Sequence, residues 1–159
     1  MADQIGSERR VMVCTTLSGS GITIEPDTSV ADTVIYIKCP TVPLMDNFMD
    51  KLDPSFQGAM YDEYAGKMPQ MVMVKGILTA TNVNTARKLL KEAYINQTTL
   101  YCIVKKPTGA GAFENVNFLN DAGTEVFYLQ GRPDKMLKII LVEGETYEIS
   151  FKFTGWVVS

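Results

Sequence analysis

The chain has no histidine. Its absence removes the commonest general base, the commonest metal ligand and both usual nucleophile-histidine pairs, so most hydrolase templates fail. Cysteine is sparse. Cys14, Cys39 and Cys102 lie 25 and 63 residues apart with no Cys-x-x-Cys pair, which argues against structural zinc. An odd number of isolated cysteines in apolar runs also argues against a disulfide framework, and the three read as buried thiols. No stretch approaches the roughly 20 apolar residues of a membrane span. "MADQIGSERR" lacks the apolar run of a signal peptide, so the expectation is a chain that begins in the cytoplasm, with no membrane span. Excess positive charge is missing too. Eighteen acidic against fifteen basic side chains give a formal charge of -3, which supplies no global field for nucleic acid.

What is present is strand. With 159 residues, 46% of them apolar and 21% charged, the chain suits one folded domain with a buried core. Strand-like runs occur at "RRVMVCTTL", "GITIE", "DTVIYIKC", "MVMVKGILTA", "TLYCIVKK", "EVFYLQG", "MLKIILVE" and "TYEISFKFTGWVV", most of them bounded by Gly, Pro, Asn or Asp. They predict a mainly β, antiparallel barrel or sandwich over residues 1–159. Glu143-Gly144 reads as a tight turn pairing "MLKIILVE" with "TYEISFKF". In the last run Tyr147, Ile149, Phe151 and Phe153 alternate with Glu148, Ser150, Lys152 and Thr154, which makes the aromatic face core. Beyond Gly155 the apolar residues Trp156 and Val158 take the even positions, and a bulge at the glycine is expected.

One helix interrupts the strands. In "NTARKLLKEAY" the residues Ala86, Leu89, Leu90, Ala93 and Tyr94 recur at spacings of three and four, a single apolar stripe over Thr85 to Tyr94. Asn82 or Asn84 suits the N-cap and Asn96 the left-handed C-terminal position. Such a helix flanks the sheet, covering an open face or end. A second interruption, residues 40–70, holds about thirty residues with four prolines and no strand pattern, an uncommon length for a loop without a function. Leu44, Met45, Phe48, Met49 and Leu52 have helical spacing, and Phe56, Met60, Tyr61, Tyr64 and Met68 continue the methionine and aromatic content.

Candidate chemistry is thin. Asp46, Asp50 and Asp53 sit at helical spacing, but no glycine-punctuated calcium loop accompanies them, and a solvated acidic face is the simpler reading. "KKPTGAGAFEN" lacks the Lys-Ser/Thr ending of a phosphate loop and reads as a hairpin or loop tip. Arg87, Lys88 and Lys91 read as the wet face of the helix. The methionine and aromatic insertion either folds back on the domain's own core or reaches a partner chain as an arm. No residue is nominated as catalytic, cofactor-binding or metal-binding, and the expectation is not an enzyme.

The order of elements carries a resemblance. A strand run, a long insertion, then "GKMPQMVMVKGILTATNVNTARKLLKEAYINQTTLYCIVKK", then a hairpin ending in "YEISFKFTGWV", resembles the small β-barrel with one flanking helix of phage tail tube and baseplate ring proteins, an architecture the type VI secretion tube protein shares. The resemblance implies a structural virion protein: a homo-oligomeric ring, hexameric in many members, whose sheets line a channel through which DNA passes. It implies partners among sheath or baseplate components, no sequence-specific nucleic-acid contact, and assembly in the host cytoplasm. It turns Pro40 to Met68 into an inter-subunit arm. The implied interface comprises Leu44, Met45, Phe48, Met49, Phe56 and Met60, then Tyr61, Tyr64 and Met68 of the insertion, with Arg87, Lys88 and Lys91 of the helix. Two other classes stay open: a small-ligand-binding barrel with the insertion as lid, and an enzyme built from Asp, Glu, Tyr and Lys side chains.

Overall fold

The structure, a computed structural model, describes residues 9–39, 44–46, 50–53, 61–64, 70–108, 113–118, 123–133, 138–141 and 146–157. Among them the first elements are β1 (Arg9–Cys14), β2 (Leu17–Ser18), a 3-10 turn (Gly21–Thr23), β3 (Glu25–Pro26) and β4 (Val34–Lys38). Then come β5 (Leu44–Asp46), β6 (Asp50–Asp53), β7 (Tyr61–Tyr64), β8 (Gln70–Thr79) and the helix α1 (Ala80–Asn96). The chain continues with β9 (Leu100–Pro107), β10 (Phe113–Asn115), β11 (Leu129–Pro133), β12 (Lys138–Leu141) and β13 (Thr146–Trp156).

Six of these strands close an antiparallel barrel in the order β13-β11-β9-β1-β4-β8, with β8 returning to β13. The seam is a long ribbon: β8 and β13 stay in register from Thr79 opposite Thr146 to Gln70 opposite Gly155. Closure depends on glycine at two crossings. A Cβ on Gly131 would lie 2.0 Å from the Thr154 carbonyl oxygen and 2.4 Å from the Gly155 Cα, and one on Gly76 would lie 2.3 Å from the Lys38 carbonyl oxygen. Backbones that close admit no side chain.

Alternation fills the interior. Val11 and Val13, Ile35 and Ile37, Val72, Val74 and Leu78, and Ile149, Phe151 and Phe153 are buried in one cluster, and each such side chain contributes roughly 1.5–3 kcal/mol by leaving water. The buried stripe of α1, Val83, Ala86, Leu89, Leu90 and Ala93, belongs to the same cluster, and the helix contacts β4, β8, β11 and β13. It therefore packs across one end of the barrel. Cys14, Cys39 and Cys102 are buried thiols outside any disulfide, as expected. Burial pushes the Cys14 thiol up to about 12 and raises that of Cys102 further, because neither thiolate would be hydrated.

Several expectations need correction. The helix begins at Ala80, so Asn82 and Asn84 lie inside it rather than at its cap. The left-handed residue beyond its end is Gln97 (φ 56), not Asn96. Tyr94 is 51% exposed, and Val83 takes its place on the stripe. "GITIE" is a 3-10 turn leading into a two-residue strand. "EVFYLQG" becomes strand only from Leu129. No bulge occurs at Gly155: the register with β11 runs through it without a shift, the register with β8 reaches it unshifted, Gly155 faces the core, and Trp156 faces out. The insertion contains strands. β5 joins the edge of β8, Leu44 opposite Val72, and β6 pairs with β7, Asp50 opposite Tyr64. Asp46, Asp50 and Asp53 thus sit on strands, not on one helix face. β12 and β13 are antiparallel as expected, with the turn residues Glu143 and Gly144 outside the described residues.

Candidate assembly surface

The β8–β13 ribbon has divided flanks. At one end β8 is bordered by β5 and β13 by β11; at the other, β8 is bordered by β4 and β13 by β12. β5 and β12 consequently end the sheet, and among the described residues each has a strand on one side only. An open strand edge is a template for another chain unless covered.

Register defines the outward face of this ribbon. Because Val72, Val74 and Leu78 point inward, Met73, Lys75 and Ile77 point out; because Ile149, Phe151 and Phe153 point inward, Glu148, Ser150, Lys152 and Thr154 point out. Ile140, Glu148, Ile77 and Lys38 form one row across four strands. Lys152 lies opposite Met73, and Thr154 lies between Arg132 and Met71. Four large apolar side chains on this face remain open to solvent: Met73 40%, Ile77 43%, Ile140 42% and Trp156 43%. These exposed apolar side chains share the face with Lys75, Glu148, Lys152 and Arg132.

The expected interface residues fall in three places. Leu44 and Met45 are on β5, opposite Val72 and Met71, while Tyr61 and Tyr64 are on β7, opposite Asp53 and Asp50. Arg87, Lys88 and Lys91 are exposed on the solvent side of α1. Phe48, Met49, Phe56, Met60 and Met68 lie outside the described residues. The outward row of Met73, Lys75, Ile77, Ile140 and Trp156 was not anticipated. Its signal was in "MVMVKGIL", where valine and methionine alternate and the valines take the core.

Elsewhere the chemistry is structural. Asn115 is buried and its Nδ2 donates to the carbonyls of Ile22 (3.0 Å) and Ile24 (2.7 Å), clamping the 3-10 turn to β10. Lys105 pairs with Glu25 beside it, and Lys106 pairs with Glu114 across the β9–β10 hairpin at 3.2 Å. That hairpin is formed by "KKP" and "FEN", so no helix follows the glycines as a phosphate loop requires. A surface cleft of about 230 Å³ is lined by Thr28, Asp32, Tyr36 and Thr85, whose hydroxyl donates to Asp32 at 3.2 Å; it falls below the usual size of a ligand pocket. Among the described residues no group of three or more Cys, Asp or Glu side chains is placed to hold a metal ion, and no helix is long and apolar enough to cross a membrane. No family model, no curated protein and no solved structure matches the chain.

Proposed function

We propose that the chain is a structural subunit of a ring in a phage-like tail tube or baseplate, built by repeating one contact between identical copies. The observation that carries this reading is the ribbon's outward face, with Met73, Ile77, Ile140 and Trp156 exposed between two sheet-ending strands, β5 and β12. A contact joining two different patches of the same surface repeats head to tail, and closes into a ring when its rotation divides the circle. Edges at opposite ends of one ribbon supply two such patches. The six-stranded barrel with a helix across one end also agrees with the architecture that the element order resembles.

The barrel interior does not favour a ligand site. Eight strands leave an interior just wide enough for side chains to fill, and six leave less. Here the interior is occupied by Ile35, Ile37, Leu78, Phe151 and Phe153, with Leu90 of the helix above them. The channel of the proposed assembly is accordingly the space enclosed by several subunits rather than the barrel of one.

The test is the mass of the purified protein by light scattering, followed by negative-stain imaging of the same sample at rising concentration. Rings or hollow tubes are expected. A monodisperse monomer or dimer at every concentration, also in the presence of preformed tail components, would overturn the reading.

A further inference from the structure

The outer side of the barrel carries buried apolar residues of its own. Met12, Cys14 and Ile103 stand on the side of β1 and β9 turned away from the interior, because Val11, Val13, Cys102 and Val104 take the inside. Over Cys14 lies the segment 16–27, made of β2, the 3-10 turn and β3. β3 contacts β1, and the Cys14 thiol takes a hydrogen bond from the Thr16 backbone and lies near the Asp27 carboxylate.

This segment is held down by polar ties more than by burial. Of its twelve residues only Pro26 is buried, and its ladder is two pairs long, Leu17 with Pro26 and Ser18 with Glu25. The ties run to the β9–β10 hairpin. Asn115 Nδ2 donates to the Ile22 and Ile24 carbonyls at 3.0 and 2.7 Å, and Lys105 pairs with Glu25. The clamp carries a cost, since Asn115 Oδ1 is buried and accepts no hydrogen bond from the protein, and that cost vanishes when lifting the turn hydrates it.

We infer that residues 16–27 form a latch, which lifts as a unit while the barrel stays closed and bares the outer face of β1 at Cys14. Segments that bury little apolar surface open well before a molecule unfolds, and the six barrel strands keep their own pairing without the latch. Two thiols report on the two events. Val13 lies opposite Cys102 and Cys14 opposite Tyr101, so Cys14 and Cys102 sit on neighbouring strands but on opposite faces. Cys14 is covered by the latch and Cys102 by the barrel. The motion belongs to the single chain and is independent of the ring reading above.

The test is the rate at which iodoacetamide alkylates each thiol of the wild-type protein, read by mass spectrometry of digested samples at urea concentrations below the unfolding transition. Cys14 is expected to react about tenfold or more faster than Cys102, at a rate nearly independent of urea, while Cys102 accelerates with urea as whole-barrel unfolding exposes it. A Cys14 that reacts no faster than Cys102, with the same urea dependence, would mean that latch and barrel open together and would overturn the inference.

Two variants give a second readout. Asn115→Ala removes both bonds to the turn. Gly19→Ala puts a methyl group 2.8 Å from the Thr23 carbonyl oxygen at a left-handed position (φ 85), so it too disfavours the closed latch. Each change should speed Cys14 alkylation about tenfold and leave the Cys102 rate within about twofold of wild type. A rise shared equally by both thiols, or a Cys14 rate unchanged in Asn115→Ala, would sink the latch.

Discussion

Gly131 and Gly155 stand opposite each other where β11 meets β13, and only one of them is strictly confined. A methyl group on Gly131 would strike backbone atoms at 2.0 and 2.4 Å, whereas one on Gly155 would meet its nearest neighbours at 3.1 Å. Gly131→Ala should thus lower unfolding free energy by about 3 kcal/mol or more, and Gly155→Ala by roughly half that or less. Urea denaturation of the two variants decides it, and equal losses would contradict the close approach. The thiols make a prediction in pH. Folding raises the Cys14 thiol from 9.0 to about 12 through burial, so as pH rises the unfolded chain ionises first. On this account stability is flat below pH 9, falls between pH 9 and about 12, and levels off beyond. The slope is up to about 1.4 kcal/mol per pH unit for each such thiol. Cys102 is shifted in the same direction, by burial first and then by the neighbouring Cys14 and Cys39. Denaturant midpoints measured from pH 8 to 11 should fall less steeply for Cys14→Ala than for wild type, though that variant begins from a lower stability because it leaves a cavity.

The helix has two faces with different tasks. Leu90 is buried among barrel residues, so Leu90→Ala should cost about 2–5 kcal/mol, while Lys91→Glu on the exposed side should stay within about 0.5 kcal/mol. Thermal melts of both chains measure the contrast, and a large loss from Lys91→Glu would mean that the exposed side is packed. Elements with a strong local period were legible in the sequence: the alternation of the last strand, the stripe of α1 and the antiparallel pairing of β12 with β13. The misreadings share a cause, which is that the deciding partner is remote. β5 is a strand because Met71 and Val72 lie beside it, and nothing within Leu44 to Asp46 records that. Trp156 suggested a change of phase because it is apolar, but the register through Gly155 keeps it outside. The candidate surface was hidden for the same reason: the row of Ile140, Glu148 and Ile77 joins residues from three separate runs, and only strand pairing aligns them.

At the scale of the molecule, the barrel and the insertion are separable by their hydrogen bonding. The closed barrel satisfies its own edges through β13, β11, β9, β1, β4 and β8, whereas β6 and β7 pair only with each other among the described strands. A lone two-stranded hairpin is marginal in water and gains stability when it packs on something else. Replacing residues 50–64 by a short Gly-Ser linker keeps β5 on the edge of β8 and leaves all six barrel strands untouched. Closing a loop of altered length changes stability by less than about 1 kcal/mol, because the entropy of closure grows only with the logarithm of length. The shortened chain should therefore unfold at nearly the wild-type urea concentration and yield no rings or tubes by light scattering and negative stain. It should nevertheless retain the ribbon's outward face, so if that face is one half of the joining contact the shortened chain, mixed with wild-type protein, should end growing assemblies. Dose-dependent shortening of wild-type assemblies would mark the contact as directional. If the shortened chain assembled by itself, the insertion would be dispensable and the joining contact would lie elsewhere on the barrel.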